Sequence, residues 1–501
     1  MRISNKQTLV LGPPGCGKTT YLITEVEKLL DKGVATDNIA FVSFTRKAVT
    51  EARTRACAKF GIQHNDLPYF KTIHSMCFSR LNCRKEDLMT SDNYDEFGAW
   101  IGHTFKGIQD DMDAPLGMQG TDEGDKLLFY DNLARTMLIT PKQLWEDGLL
   151  PLEYTTLQRF CVGYKKFKEH YSLLDFTDLL EKPLQPLSVE YVFVDEAQDL
   201  SKLQWRVLKS LFHKATVVIA GDDDQSIYKW SGADLQSFLE LEGEQIVLSK
   251  SYRLPKAVYN HAQTIIKNVS NRFTKQYAPT SEEGSVQVVG SLDHIEKPTC
   301  STLILARNTY LLPQAYEWLK RNGTAYTGRS GVNSIKPSHA IAIHTFNRLL
   351  KGEIVPATEC ELVYDHIKNA KYIPKGAKQK LKTTLENQTL ESLYLPKLDW
   401  WDVLNGIPNE LIEYYRTIDI ENITPKVSIH VDTIHGVKGG EADTVIILSD
   451  YSKKTHEEFN LTPDNEHRVA YVAVTRAKSN VIIVGANSKY SYPYSYIERE
   501  S

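Results

Sequence analysis

The stretch GPPGCGKT, Gly12 to Thr19, carries the residue types that hold a triphosphate. Glycines let successive backbone N–H groups turn toward phosphate oxygens, and a following helix adds the positive end of its dipole. In this pattern the lysine reaches the β- and γ-phosphates and the threonine hydroxyl ligates Mg2+. Lys18 and Thr19 are thus candidate nucleotide and metal contacts, with Gly12, Pro13, Pro14, Gly15, Cys16, Gly17 and Thr20 forming the cradle. A second constellation, VFVDEAQD, ends an apolar run on two acids. Asp195 is placed to hold Mg2+ through water, and Glu196 to orient and deprotonate an attacking water. The plain alternative is a strand that finishes in a solvated acidic turn. The third is GDDDQSIYKWSGAD, residues 221–234, where three aspartates adjoin a glutamine and two aromatic residues. Clustered acids suggest a metal, whereas Tyr228 and Trp230 suggest stacking on flat rings.

The elements that must position these groups follow from hydrophobic period. TLVLG is a short apolar strand, and Leu22, Val26, Leu29 and Leu30 follow at helical spacing up to Gly33;. IAFVSF and then RKAVTEARTRACAKFG repeat the strand–helix alternation, which implies a parallel sheet flanked by helices;. The same grammar resumes at VEYVFVD, ATVVIAGD and EQIVLS. A second α/β unit is expected from residue 251, with strands SVQVVG and STLILAR, and it resumes at VSIHVDTIHGVKGGEADTVIILSD. The expected organisation is a first sheet domain over 1–84 and 186–250, interrupted by an insertion over 85–185. The second covers 251–340 and 425–501, interrupted over 341–424.

Bulk properties narrow the class. A chain of 501 residues exceeds what one core supports;. Its apolar and charged fractions, 42% and 24%, are those of an ordinary globular protein;. A net charge of −4 leaves the partner open, since a local stripe decides nucleic-acid binding rather than the total;. Seven cysteines with no C-x-x-C pair argue against a disulfide framework or zinc site, so a cytoplasmic location is expected;. No segment has the length and apolarity of a signal peptide or membrane span, and no membrane partner is expected;.

Taken in order, Gly12–Thr19, FTRKA (44–48), DEAQD (195–199), GDDDQSIYKWSGAD, SYR (251–253), TIHGVKGGE (433–441) and VAVTRAK (472–478) resemble the motifs of superfamily 1 DNA helicases, most nearly the UvrD/Rep/PcrA-like group. LDFTDLL (174–180) is similar to a stretch those enzymes carry before the acidic motif. The resemblance implies an α/β fold of two RecA-like P-loop domains with parallel sheets, each carrying a largely helical insertion. It implies an ATP-dependent DNA helicase or translocase that uses ATP and Mg2+, moves 3′-to-5′ on single-stranded DNA and displaces the complementary strand at single-strand/duplex junctions. Gln225 would face the γ-phosphate, and Tyr228 and Trp230 would line the strand track, projecting to one side of an extended segment. The acid-rich stretch is then a mechanical link between fuel and cargo rather than a metal site. Phe44 would add a stacking ring and Thr45 a phosphate contact. Thr72 and His74 would hold the strand backbone, although a lone histidine is as readily structural. Arg253 and Arg476 would be arginine fingers reaching from the second lobe, with Tyr252 on adenine and Glu441 on ribose. Thr433 and His435 would touch nucleic acid.

Some residues depart from that pattern. Thr20 stands where an arginine often stacks on the base, and Gln7 lies too near Gly12 to read adenine in the usual way, so relaxed purine selectivity is expected. Ser231 replaces an arginine beside the tryptophan. The lysines of KNAKYIPKGAKQKLKTT read either as duplex-phosphate contacts or as a solvated helix face;. The tail KYSYPYSYIERES reads as a partner dock or as packing against the last strand. Two other activities compete: a DNA-stimulated translocase that removes bound proteins or drives a repair, replication or defence complex, and an ATP-gated clamp that does not step.

Overall fold

The computed structural model describes residues 1–43, 46–107, 122–150, 152–368, 372–384, 386–418 and 428–494. Phe44, Thr45 and Lys371 lie outside them, as do most of the polar loop of the first insertion and the end of the tyrosine-rich tail. The fold is α/β, as the strand–helix alternation predicts. Strands β1 (Lys6–Leu11), β2 (Ile39–Ser43), β3 (Phe70–Thr72), β4 (Tyr191–Asp195), β5 (Thr216–Gly221) and β6 (Glu244–Val247) form one sheet in the order β3-β2-β4-β5-β1-β6. Strands β7 (Ser285–Val289), β8 (Thr302–Ala306), β9 (Ile429–Thr433), β10 (Ala442–Leu448) and β11 (Ala477–Val484) form another, ordered β7-β11-β10-β8-β9. Every strand pair in both sheets is parallel.

Period-two alternation gives the first sheet two cores. Leu9, Leu11, Val192, Val194, Val217 and Ile219 meet the helix Lys202–Phe212 on one face. Val10, Ile39, Phe41 and Phe193 meet Leu22, Ile23 and Val26 of α1 (Lys18–Asp31) on the other. Strands buried on both faces read as continuous apolar runs, which is why they were legible. Register then sets the site. Leu11 pairs with Gly221 and Ser43 with Asp195, so the carboxyl ends of β1, β5, β2 and β4 share one sheet edge. Ligands of open parallel sheets bind at that edge.

The first insertion is helical, with Phe97, Phe105, Leu127, Leu157, Phe160 and Phe167 as its core. The second packs Ile343, Phe346, Val363, Trp400 and Tyr415 from its own helices, the first of which already begins at Pro337. The chain divides into two compact units: Met1–Glu282 with Thr462–Val472, and Glu283–Leu461 with Ala473–Ser501. Residues 251–282, expected in the second lobe, therefore belong with the first sheet, as do 462–472. The cause is ionic. Arg272, Lys275 and Arg468 all bond to the three-aspartate turn after β5.

Among the described residues, no helix is long and apolar enough to cross a membrane. All seven cysteines are free thiols. Tyr492 and Tyr494 are buried, and Tyr492 donates its N–H to Ser449, so the described part of the tail packs back on the sheet that carries β10.

Candidate nucleotide and nucleic-acid site

Residues 12–17 form the turn from β1 into α1, and close approach dictates its glycines. A Cβ on Gly12 would fall 2.2 Å from Lys18 Cγ, and one on Gly15 would fall 2.3 Å from Arg253 Cβ. Gly15 and Gly17 also hold φ of 70° and 77°, a left-handed backbone that L side chains resist;. Lys18 Nζ donates to Gly12 O at 2.9 Å, folding its stem across the loop. Burial opposes the Lys18 ammonium, but Glu196, Cys16, Asp222 and Asp195 outweigh it and its pKa is raised. Burial pushes the Cys16 thiol up to about 11.

Thr19, at the start of α1, donates Oγ1–H to Asp195 Oδ2 at 2.6 Å. Burial, and then the neighbouring Glu196, raise the Asp195 carboxyl to about 7. A hydroxyl and a carboxylate at this spacing fit Mg2+, which takes one or two protein oxygens and completes its shell with phosphate and water. Glu196 follows with φ of 53°, a left-handed non-glycine conformation. Such strain costs about 1–2 kcal/mol and gathers at functional sites.

The turn after β5 resolves the aspartate cluster. Lys275, its side chain 1% exposed, reaches Asp222 Oδ1 at 2.7 Å, Asp224 Oδ2 at 2.9 Å and the Asp223 carboxylate through Nζ. Arg272 forks onto Asp224 at 2.7 and 2.6 Å, and Arg468 Nε donates to Asp223 O at 3.0 Å. Two bases thus meet three acids, and a third holds the backbone of the same turn. The cluster is a socket for residues 272–275 and the helix Pro463–Val474. No group of three or more His, Cys, Asp or Glu suited to a metal occurs among the described residues. Lys275, Arg272 and Arg468 carry no motif of their own in the sequence. The only signal for them was that three buried acids require bases.

Gln225, at the end of this turn, donates Nε2–H to Asp222 Oδ2 at 2.7 Å. Beyond it the chain is not extended as expected. Lys229–Ser231 form a 3₁₀ turn closed by Gly232 at φ 92°, bringing the Tyr228 and Trp230 rings edge to face at 6.3 Å. Tyr228 is 9% exposed and Trp230 44%, so the turn presents one ring and buries the other.

Ser251, Tyr252 and Arg253 lie on the phosphate loop itself. Ser251 Oγ donates to Pro14 O at 2.8 Å and Tyr252 N to Gly15 O at 2.8 Å. Arg253 therefore belongs to the unit that carries Lys18, and the expectation that it reaches in from the second lobe is corrected. The Tyr252 ring is 71% exposed, with Lys250 Nζ 5.3 Å from its centroid. Thr20 is exposed nearby on α1. Gln7 is buried in β1, where its Oε1 accepts from Ile3 N at 2.8 Å and its Nε2 donates to Glu242 O at 2.6 Å. It braces the edge of the sheet.

Thr72 caps the helix α2 (Ile73–Arg80), accepting Ser75 N–H at 3.3 Å, and His74 is half-buried in its first turn. In the second unit, Arg476 is buried and donates to Gly440 O at 3.4 Å. Glu441 pairs with Lys478 at 2.7 Å. Thr433 is buried at the end of β9 and accepts Gly436 N–H at 3.2 Å, with His435 half-buried between them. Lysines 375, 378, 380 and 382 are exposed, and Lys378 pairs with Asp365 at 3.5 Å.

Residues 1–245 match the model of the UvrD/REP helicase N-terminal domain, and residues 428–484 that of the UvrD-like helicase C-terminal domain. The chain belongs to the UvrD/Rep helicase family. This UvrD/Rep-family chain is similar to the ATP-dependent DNA helicase PcrA of Staphylococcus epidermidis, 28% identical over an alignment of 300 residues that covers 55% of this chain and 40% of that protein. The Staphylococcus aureus PcrA is also 28% identical, over 295 residues, 53% of this chain and 39% of the relative. The UvrD/Rep-family chain thus spans about two-fifths of the length of the curated relatives it matches.

Proposed function

We propose that this chain is an ATP-dependent DNA helicase that hydrolyses ATP while moving 3′-to-5′ on single-stranded DNA and displacing the complementary strand. The observation that supports this most is the continuity of one short segment. The turn that places Gln225 beside Asp222, at the sheet edge of Lys18 and Asp195, runs within five residues to the exposed Trp230 ring. Fuel and cargo are read by one piece of backbone.

In this reading the backbone N–H groups of 12–17 and Lys18 hold the triphosphate. Mg2+ would be held by Thr19 Oγ1 and Asp195, and when bound it neutralises charge on the phosphate oxygens. Glu196 accepts the proton of the attacking water as the water oxygen bonds to the γ-phosphorus and the bond to the β–γ bridging oxygen breaks. The products are ADP and phosphate. Gln225 has an amide that can donate to a phosphate oxygen and accept from water. Arg253, beside Gly15, and Arg476 supply fixed positive charge for the transferring group. Tyr252 stacks on the base and Glu441 bonds the ribose. Base–aromatic stacking of roughly 1–3 kcal/mol per base is comparable with a duplex step of about 1.4 kcal/mol, so Trp230 holds a base without trapping it. Phe44, Thr45, Thr72, His74, Thr433 and His435 complete the proposed strand contacts.

The test is phosphate release with and without single-stranded DNA, paired with unwinding of partial duplexes bearing a 3′ or a 5′ tail. Strand displacement from the 3′-tailed substrate supports the proposal. Hydrolysis that ejects a bound protein but leaves duplex intact replaces it with the translocase. Hydrolysis that ignores strand length replaces it with the clamp.

A further inference from the structure

Between the acidic motif and the aspartate turn lies Gln198, whose contacts are unusually complete. The side chain is fully buried, at 0% exposure. Its Nε2 donates to Glu196 Oε2 at 2.5 Å and to Asp199 Oδ2 at 3.3 Å. Its Oε1 accepts the N–H of Asp222 at 3.0 Å. Its own carbonyl accepts from Ser226 Oγ at 3.1 Å. The two ends of the amide are chemically distinct, and each faces a partner of the matching kind, so the amide has a single orientation.

Two further observations show that the surroundings are shaped around this side chain. Gly221 lies at the junction, and a Cβ there would fall 2.8 Å from Gln198 Oε1 and 2.6 Å from the Phe238 ring. Glu196 holds a left-handed φ of 53° at the head of the short turn Ala197–Asp199, which brings Gln198 back within reach of its carboxylate.

We infer that Gln198 is a positioning residue that ties the Glu196 carboxylate to both ends of the turn 222–226, so that Glu196 and Gln225 are set by one amide. This rests on the reading of Glu196 as the group that takes the proton from water. The side chain fastens Glu196 to the backbone of Asp222, whose carboxylate accepts from Gln225 Nε2 at 2.7 Å. The main chain fastens the far end through Ser226, two residues before Tyr228. A shift of the aromatic end of this turn therefore reaches Glu196 through hydrogen bonds in a buried setting. Misplacing a reacting group by about 1 Å costs on the order of a hundredfold in rate.

The experiment uses the full chain and steady-state ATP hydrolysis, with thermal melts as the check on folding. Gln198→Met, close in volume and without the amide, is expected to lower kcat by on the order of 10–100-fold while KM for ATP stays within about twofold. Gln198→Glu keeps the shape but sets a carboxylate against Glu196 and Asp199, and it is expected to lower kcat at least as far. It serves as the reading if the methionine variant does not fold. Added to Glu196→Gln, Gln198→Met is expected to cost less than about twofold more, because its effect passes through Glu196. A folded variant whose kcat stays within about twofold of wild type, or whose loss lies wholly in KM, overturns the assignment. If wild type hydrolyses ATP and Glu196→Gln lowers kcat by at least about a hundredfold to a rate that can still be measured, such a result sinks this inference alone. A wild-type chain without hydrolysis sinks the parent reading as well.

Discussion

Thr19 and Asp195 stand 176 residues apart in the chain, yet the threonine hydroxyl donates to the carboxylate at 2.6 Å. The bond joins the start of α1, which follows β1, to the end of β4, and β5 lies between β1 and β4 in the sheet. Lys18 sits one residue before that threonine with its ammonium turned onto Gly12 O. Replacement Lys18→Ala removes the charge meant for the β- and γ-phosphates. ATP hydrolysis is expected to fall by at least about a hundredfold, measured as phosphate release.

The aspartate socket predicts a stability effect that can be read without any ligand. Lys275 is buried against three carboxylates, so Lys275→Met leaves them short of one counter-charge. Breaking a buried ion pair by removing one partner costs about 3–5 kcal/mol. Urea unfolding should show a loss of that size, whereas Lys378→Met, from an exposed pair, should change stability by less than about 1 kcal/mol;.

The two aromatic residues of the turn should behave differently. Trp230 presents its ring, so Trp230→Ala is expected to weaken single-strand binding by about 1–3 kcal/mol, read by fluorescence anisotropy, with Trp230→Phe between;. Tyr228 is buried, and Tyr228→Phe should leave strand affinity within about twofold;.

Burial pushes the His261 imidazole down to about 4, so the folded chain carries it neutral. As pH falls below about 6.5 the unfolded chain binds a proton there that the folded chain refuses until about 4;. The stability that depends on this ring is complete above pH 6.5, is lost between 6.5 and 4, and levels off below;. The loss is about 3 kcal/mol at most. Denaturant unfolding of wild type and His261→Gln near pH 7.5 and 4.5 should show a smaller pH effect in the variant.

What could be read in the residues depended on whether the information was local. The strands were legible because parallel strands buried on both faces are unbroken apolar runs, and the phosphate loop was legible because its glycines answer to contacts within a few residues. The Tyr228–Trp230 geometry was misjudged because Gly232 turns the chain just beyond them. The place of Arg253 was misjudged because bonds from Ser251 and Tyr252 to the phosphate loop are long-range. Lys275, Arg272 and Arg468 went unseen for the same reason: each is an ordinary base until the buried aspartate turn is folded against it.

The central claim is that one turn couples nucleotide chemistry to a strand of DNA. The most direct measurement is ATP hydrolysis by wild type and Trp230→Ala across a titration of single-stranded DNA. The account predicts that DNA accelerates wild-type hydrolysis and that the variant loses most of this acceleration at matched DNA. Equal acceleration in both proteins, or none in wild type, would contradict it.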